Sequence, residues 1–122
     1  MAKKIHSSSG GGYFRVDIDI SDFTDEITEE IKDAIQRSLV RIGLKCEQLA
    51  KDLCPWKTGR LRNSIENYVE GDTAYIGTRV EYGKYVEEGT SRREATPFLR
   101  PAAENNMETW VKIVRDELEK GG

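Results

Sequence analysis

The feature that most constrains this chain is a run of apolar residues at helical spacing. Ile27, Ile31, Ala34, Ile35, Leu39, Ile42, Cys46, Leu49 and Leu53 recur every three or four positions. That spacing draws one continuous apolar stripe along a helix, and the intervening positions are mostly charged or amide side chains. Gly43 interrupts the run at a cost of about 1 kcal/mol relative to alanine, and Pro55 ends it. A helix of about thirty residues is roughly 45 Å long. A domain of 122 residues measures only about 30 Å across and supports one core. Either the helix lies across a sheet with an overhanging end, or part of its stripe packs on another chain. Both readings stand at this point.

The rest of the chain supplies the sheet. Over residues 13–20, Phe14, Val16, Ile18 and Ile20 alternate with Arg15, Asp17 and Asp19, the pattern of a half-buried strand. Ser21, Asp22 and Thr24 offer capping side chains for the helix that follows. Residues 65–70 and 73–79 flank Gly71-Asp72 and predict a hairpin. With the first strand this gives at least three strands, enough for a layer under the helix. Residues 58–64 predict a short helix, 81–86 a helical turn and 89–96 a polar, arginine-rich loop. Pro97 and Pro101 bracket an extended piece, with Pro101 near the start of a last helix that carries Ala102, Ala103, Met107, Trp110, Val114 and Leu118 at helical spacing. The polar, glycine-rich residues 1–12 read as a flexible arm. The expected architecture is a single α+β domain over residues 13–122. It has a small antiparallel sheet packed by a long N-terminal helix and a C-terminal helix.

Composition excludes several function classes. Net charge is −3 and the pI about 5.3, against the basic balance of most nucleic-acid binders. No apolar run is long enough to span a bilayer, and no apolar segment follows the N-terminal lysines, so neither a membrane span nor a cleaved export signal is expected. Cys46 and Cys54 fall about two helical turns apart, roughly 12 Å, too far for a disulfide. Both read as buried, reduced thiols. With His6 the only histidine, no Cys/His metal set can be assembled, and no cofactor is expected. The acidic pairs Glu29-Glu30 and Glu87-Glu88 read as solubilising groups. Ser7 to Ser9 have no base but His6 nearby, so no catalytic residue is nominated and no enzyme is expected.

Two sets of side chains carry binding potential. Trp56, Tyr82, Tyr85, Val86, Phe98 and Leu99 lie beside glycines and prolines, where aromatics act either as lids on the domain's own core or as anchors in a partner interface. Sequence leaves both open. Lys57, Arg60, Arg62, Arg92 and Arg93 could meet nucleic-acid phosphates, or be solvated and paired with glutamates.

Three motifs in fixed order carry a resemblance. Pro55, Thr58, Gly59, Leu61, Arg62, Ser64 and Ile65 come first; Val80, Tyr82, Tyr85, Val86, Glu87, Gly89 and Thr90 follow; Pro97, Phe98, Leu99, Arg100, Pro101 and Ala102 open the final helix. From the first helix to the C-terminus the chain resembles a family of tailed-phage tail components named after the gene-ten product of a lambdoid siphophage. The resemblance implies a structural virion protein of a phage or prophage, a neck or tail-completion component at the head–tail junction, assembled in the host cytoplasm. It implies a ring, expected to be sixfold, between the head connector and the tail-terminator or tail-tube proteins, with DNA passing through and no membrane contact. Thr58, Gly59, Leu61, Arg62, Gly89, Thr90, Pro97 and Pro101 are then structural positions. Tyr82, Tyr85 and Phe98 are the expected anchors. The alternative is a small nucleic-acid-binding accessory protein using the basic residues above.

Overall fold

The computed structural model describes residues 4–10, 13–19, 28–55 and 59–121. Its central element is helix α1 (Glu29–Leu53), 25 residues or about 37 Å. Thr28 caps it: the Thr28 hydroxyl oxygen accepts from the Ile31 amide at 3.3 Å, and Glu29 and Glu30 sit in the first turn, where the helix dipole favours negative charge. The capping residues expected from sequence, Ser21, Asp22 and Thr24, lie outside the described residues. At the other end Cys54 is extended, and its amide donates back to the Ala50 carbonyl at 2.9 Å.

The sheet is antiparallel throughout, built from β1 (Lys4–Gly10), β2 (Tyr13–Asp19), β3 (Glu66–Glu70) and β4 (Thr73–Thr78) in the order β1-β2-β4-β3. The turn after β3 falls at the expected glycine, Gly71, with φ 60°. Its carbonyl accepts from the Gln36 side chain of α1 at 2.7 Å, so the hairpin tip is tied to the helix. Within residues 1–12, read from sequence as a flexible arm, Lys4–Gly10 is a strand. Antiparallel pairing with Tyr13–Asp19 satisfies backbone groups on one edge, which side-chain composition alone does not reveal.

The described helices all contribute to one core on a single side of the sheet. Ala74 and Ile76 of β4 meet Ile35, Leu39, Ile42 and Cys46 of α1 there, together with Leu61, Val86, Leu99 and Trp110 from the helices that follow. Gly43 has a packing reason in addition to its propensity cost: a Cβ there would come 2.7 Å from Asn67 Oδ1, because β3 crosses α1 closely at this point. Asn67 in turn donates to Glu47 at 2.8 Å. Ile31 and Leu53, at the ends of the stripe, are 36% and 47% exposed.

The C-terminal part is two helices where the sequence predicts one. α4 (Leu99–Glu104) and α5 (Met107–Gly121), numbered after α2 (Gly59–Ser64) and α3 (Gly83–Glu88), are separated at Asn105-Asn106. The Asn106 side-chain amide donates to the Ala102 carbonyl at 2.8 Å, and the Asn106 carbonyl accepts from the Trp110 amide at 3.1 Å. An asparagine that bonds locally in this way ends one helix and starts the next. Trp110 then places its indole N–H on Ala103 O at 2.7 Å, locking the two helices at the break.

Helix α5 is fastened to α1 by charge. Glu117, 4% exposed, accepts from Arg37 at 3.1 Å and Arg41 at 2.7 Å, with Lys120 at 3.4 Å. The Arg37 hydrogen bond, then that of Arg41, holds the Glu117 carboxyl well below its ordinary value, at about 2. A depressed carboxyl contributes stability that is complete above its unfolded pKa and is lost as pH falls toward the folded one. Glu117→Gln is therefore expected to melt below wild type at neutral pH, with the two melting temperatures converging as pH falls from about 4.5 to about 2. Melting curves across that range check it.

Candidate functional site

The second and third sequence motifs meet at one buried carboxylate. Glu87, on α3, is 5% exposed. Its Oε1 accepts from the Phe98 amide at 2.9 Å and the Leu99 amide at 2.8 Å, and its Oε2 from the Arg100 amide at 3.0 Å. These are the orphan donors at the start of α4. Phe98 occupies the N-cap position and provides no side-chain cap, so a residue eleven positions earlier performs that task. The reading of Glu87 as a solubilising group is corrected here. Glu88, its neighbour, is exposed. The signal was present in the sequence: a Phe-Leu-Arg-Pro helix start has no Ser, Thr, Asp or Asn to cap it, and an uncapped start requires an acceptor from elsewhere.

The segment between Glu87 and Phe98 is shaped for this contact. Gly89 has φ 78° and ψ 177°, a conformation reserved for glycine. A Cβ on it would meet Ala95 N at 2.7 Å and Arg93 O at 2.9 Å. Its amide closes α3 on the Tyr85 carbonyl at 2.8 Å. Thr90 and Arg93 then exchange backbone hydrogen bonds of 2.9 and 3.3 Å, and the Thr96 amide returns to the Val86 carbonyl at 2.8 Å. The loop is thus a closed circuit that delivers Pro97 to the surface and Phe98 to the interior.

This placement overturns part of the expected interface. Phe98 and Leu99 are fully buried and Val86 is 2% exposed. They are core residues, drawn inward because capping by Glu87 turns the chain at Phe98. Tyr82 is half-buried and packs against the core. Tyr85 stands out at 55% exposed. Trp56 lies outside the described residues, as do Lys57 and Thr58.

The first motif joins the end of α1 to the sheet. Leu61 is fully buried, and the Arg62 guanidinium donates to the Lys51 carbonyl at 3.1 Å, satisfying a terminal carbonyl where the helix dipole favours a cation. Ser64 Oγ reaches both the Leu61 carbonyl and the buried Thr78 hydroxyl, and Thr78 accepts from the Val80 amide at 3.0 Å. Gly83 lies against this pair, since a Cβ there would come 2.6 Å from the Thr78 methyl. Nothing within 4 Å of Gly59 requires a glycine at that position.

Among the described residues the candidate basic side chains lie apart and are differently engaged. Arg60 holds Glu81 with two bonds of 3.1 Å and lies 5.7 Å over the Tyr82 ring. Hydrogen bonding from its own backbone amide, then from Arg60, lowers the Glu81 carboxyl pKa. Arg62 is engaged at the end of α1, and Arg92 and Arg93 are exposed on the loop. Among the described residues no cluster of His, Cys, Asp or Glu could hold a metal ion, and no helix is long and apolar enough to cross a membrane. Cys46 and Cys54 are both buried, and burial pushes the Cys46 thiol up to about 12.

Across these motifs Arg62, Thr78 and Glu87 each bond backbone groups of a neighbouring segment. The model of the family described as "Bacteriophage HK97-gp10, putative tail-component" matches residues 18–89, and the chain belongs to that family. The match opens within β2 and closes at Gly89, so it contains Glu87 but stops short of the amides that Glu87 caps. No curated protein and no solved structure matches the chain.

Replacing Glu87 tests the junction. Glu87→Gln keeps an acceptor for Phe98 and Leu99 but turns an NH₂ toward the Arg100 amide, with an expected cost of about 1–3 kcal/mol; Glu87→Ala, which leaves all three amides without an acceptor, should cost more. Gly89→Ala should cost about 1–3 kcal/mol from backbone conformation alone. Chemical denaturation of the three variants measures these values.

Proposed function

We propose that this chain is a structural neck or tail-completion component of a tailed phage or prophage, assembling as a ring at the head–tail junction. Membership of the tail-component family carries the reading. Both buried carboxylates are engaged in holding the fold, Glu87 by three backbone amides and Glu117 by two arginines, which supports a structural role. The acidic balance of the chain suits a ring around a DNA channel, because cationic contacts would retard the duplex.

Tyr85 is the anchor for the neighbouring ring in this reading. It is a large exposed aromatic on a short helix fixed at both ends of its motif, and aromatics so placed dominate interface energies. Phe98, in the core, cannot serve. The full chain, alone and mixed with the tail-terminator protein of the same genome, is expected to give a discrete ring mass by light scattering. A strict monomer in both samples would refute the ring. Tyr85→Ala is expected to keep the wild-type melting temperature and to lose co-assembly with the terminator. Co-assembly at wild-type levels would remove Tyr85 from the contact.

A further inference from the structure

The sheet ends in two open edges, and its register fixes what each edge can hold. Among the described residues no strand lies beyond β1 or beyond β3. Each residue of an antiparallel strand turns its amide and carbonyl to one side, and successive residues alternate. The β3–β4 hairpin closes on the pair Glu70 and Thr73. Glu66, Tyr68 and Glu70 therefore bond to β4, while Asn67 and Val69 present their backbone groups outward. Carried through β4 and β2, the same alternation leaves Ile5, Ser7 and Ser9 outward on β1. Edges of this kind accept another extended strand.

Helix α1 marks where a strand added to β3 would lie. Gln36 donates to the Gly71 carbonyl at 2.7 Å, and Gly43 and Glu47 meet Asn67. These three residues share one stripe of the helix. Val40 lies on the same stripe between Gln36 and Gly43, level with Val69 of β3. Its neighbours on the stripe are seated on β3, yet Val40 is 49% exposed and Val69 is only partly buried. Both stay open because β3 is the last strand on that side.

We propose that the outer edge of β3 in one copy pairs antiparallel with the outer edge of β1 in the next copy; the proposal rests on the ring reading. Outward groups must meet outward groups, and only two registers then cover all five residues of β3. One sets Ile5 opposite Val69, Ser7 opposite Asn67 and Lys4 opposite Glu70. The other sets Ser7 opposite Val69 and His6 opposite Glu70. The first is selected, because it brings an apolar residue to Val69 and Val40 and a cation to a carboxylate. Strand direction agrees with a ring. Within one copy β1 and β3 run oppositely, so an incoming β1 antiparallel to β3 keeps the direction of the first copy's own β1. Successive copies then share one orientation, and the contact is head-to-tail, the geometry that propagates and closes. Pairing β1 with β1 would instead be two-fold and stop at a dimer.

Cysteine variants of the full chain read the register. Lys4 and Glu70 form a non-hydrogen-bonded pair of the new ladder, where opposite side chains come closest. Under oxidising, ring-forming conditions, a mixture of Lys4→Cys and Glu70→Cys is expected to give a disulfide-linked dimer containing one of each. Each variant alone should give none, nor should wild type, whose Cys46 and Cys54 are buried. Ser7→Pro removes an outward amide and no bond to β2, a position where an edge strand tolerates proline. It is expected to shift the mass from ring to monomer at an unchanged melting temperature. A ring that survives Ser7→Pro, or Lys4→Cys linked to itself, would overturn the edge pairing and leave the ring standing. Linkage of Glu70→Cys to His6→Cys in preference to Lys4→Cys would overturn the register. A wild-type chain that stays monomeric with the terminator present would overturn both the pairing and the ring.

Discussion

The C-terminal half of this molecule depends on a carboxylate taken out of water. Burying Glu87 costs several kcal/mol in lost hydration. Three amide hydrogen bonds at 2.8–3.0 Å and the positive end of a helix offset that cost. The benefit goes to α4, a helix of six residues, far below the length that stands alone in water. Once α4 is started, Phe98 and Leu99 enter the core, Ala102 and Ala103 follow, and Asn106 and Trp110 set the angle into α5. The chain between the carboxylate and the amides it caps needs Gly89, since its backbone angles and the close approach of Ala95 and Arg93 exclude a side chain.

Much of this framework was legible in the sequence. The stripe of α1 was visible because a helix repeats its core face every three or four residues, and the β3–β4 turn was visible because Gly71 takes a conformation that glycine favours. The C-terminal region was read less well. Pro97 and Pro101 suggested an extended piece, and Glu87 beside Glu88 suggested a solvated pair. Both readings failed for one reason: the contact joining them spans eleven residues, and local pattern carries no record of it. The break at Asn105-Asn106 was missed because the apolar spacing continues across it. The candidate interface divided along the same line. Tyr85 remained on the surface, while Val86, Phe98 and Leu99, its neighbours in the motifs, turned inward.

The family match and the geometry bear on each other. Residues 18–89 define the tail-component family, and within that span the first two motifs do structural work: Arg62 closes α1, Ser64 and Thr78 join α2 to β4, and Glu87 reaches beyond the matched region to organise the chain that follows. In the ring proposed above, such contacts would hold the faces of the subunit at fixed angles.

The claim that Glu87 organises the C-terminal half is tested most directly by amide hydrogen exchange at Phe98, Leu99 and Arg100 in the wild-type chain. The account predicts protection of these three amides comparable to that of the α1 interior, lost together in Glu87→Ala. Exchange of the three at the rate of an open loop, with α1 still protected, would contradict it.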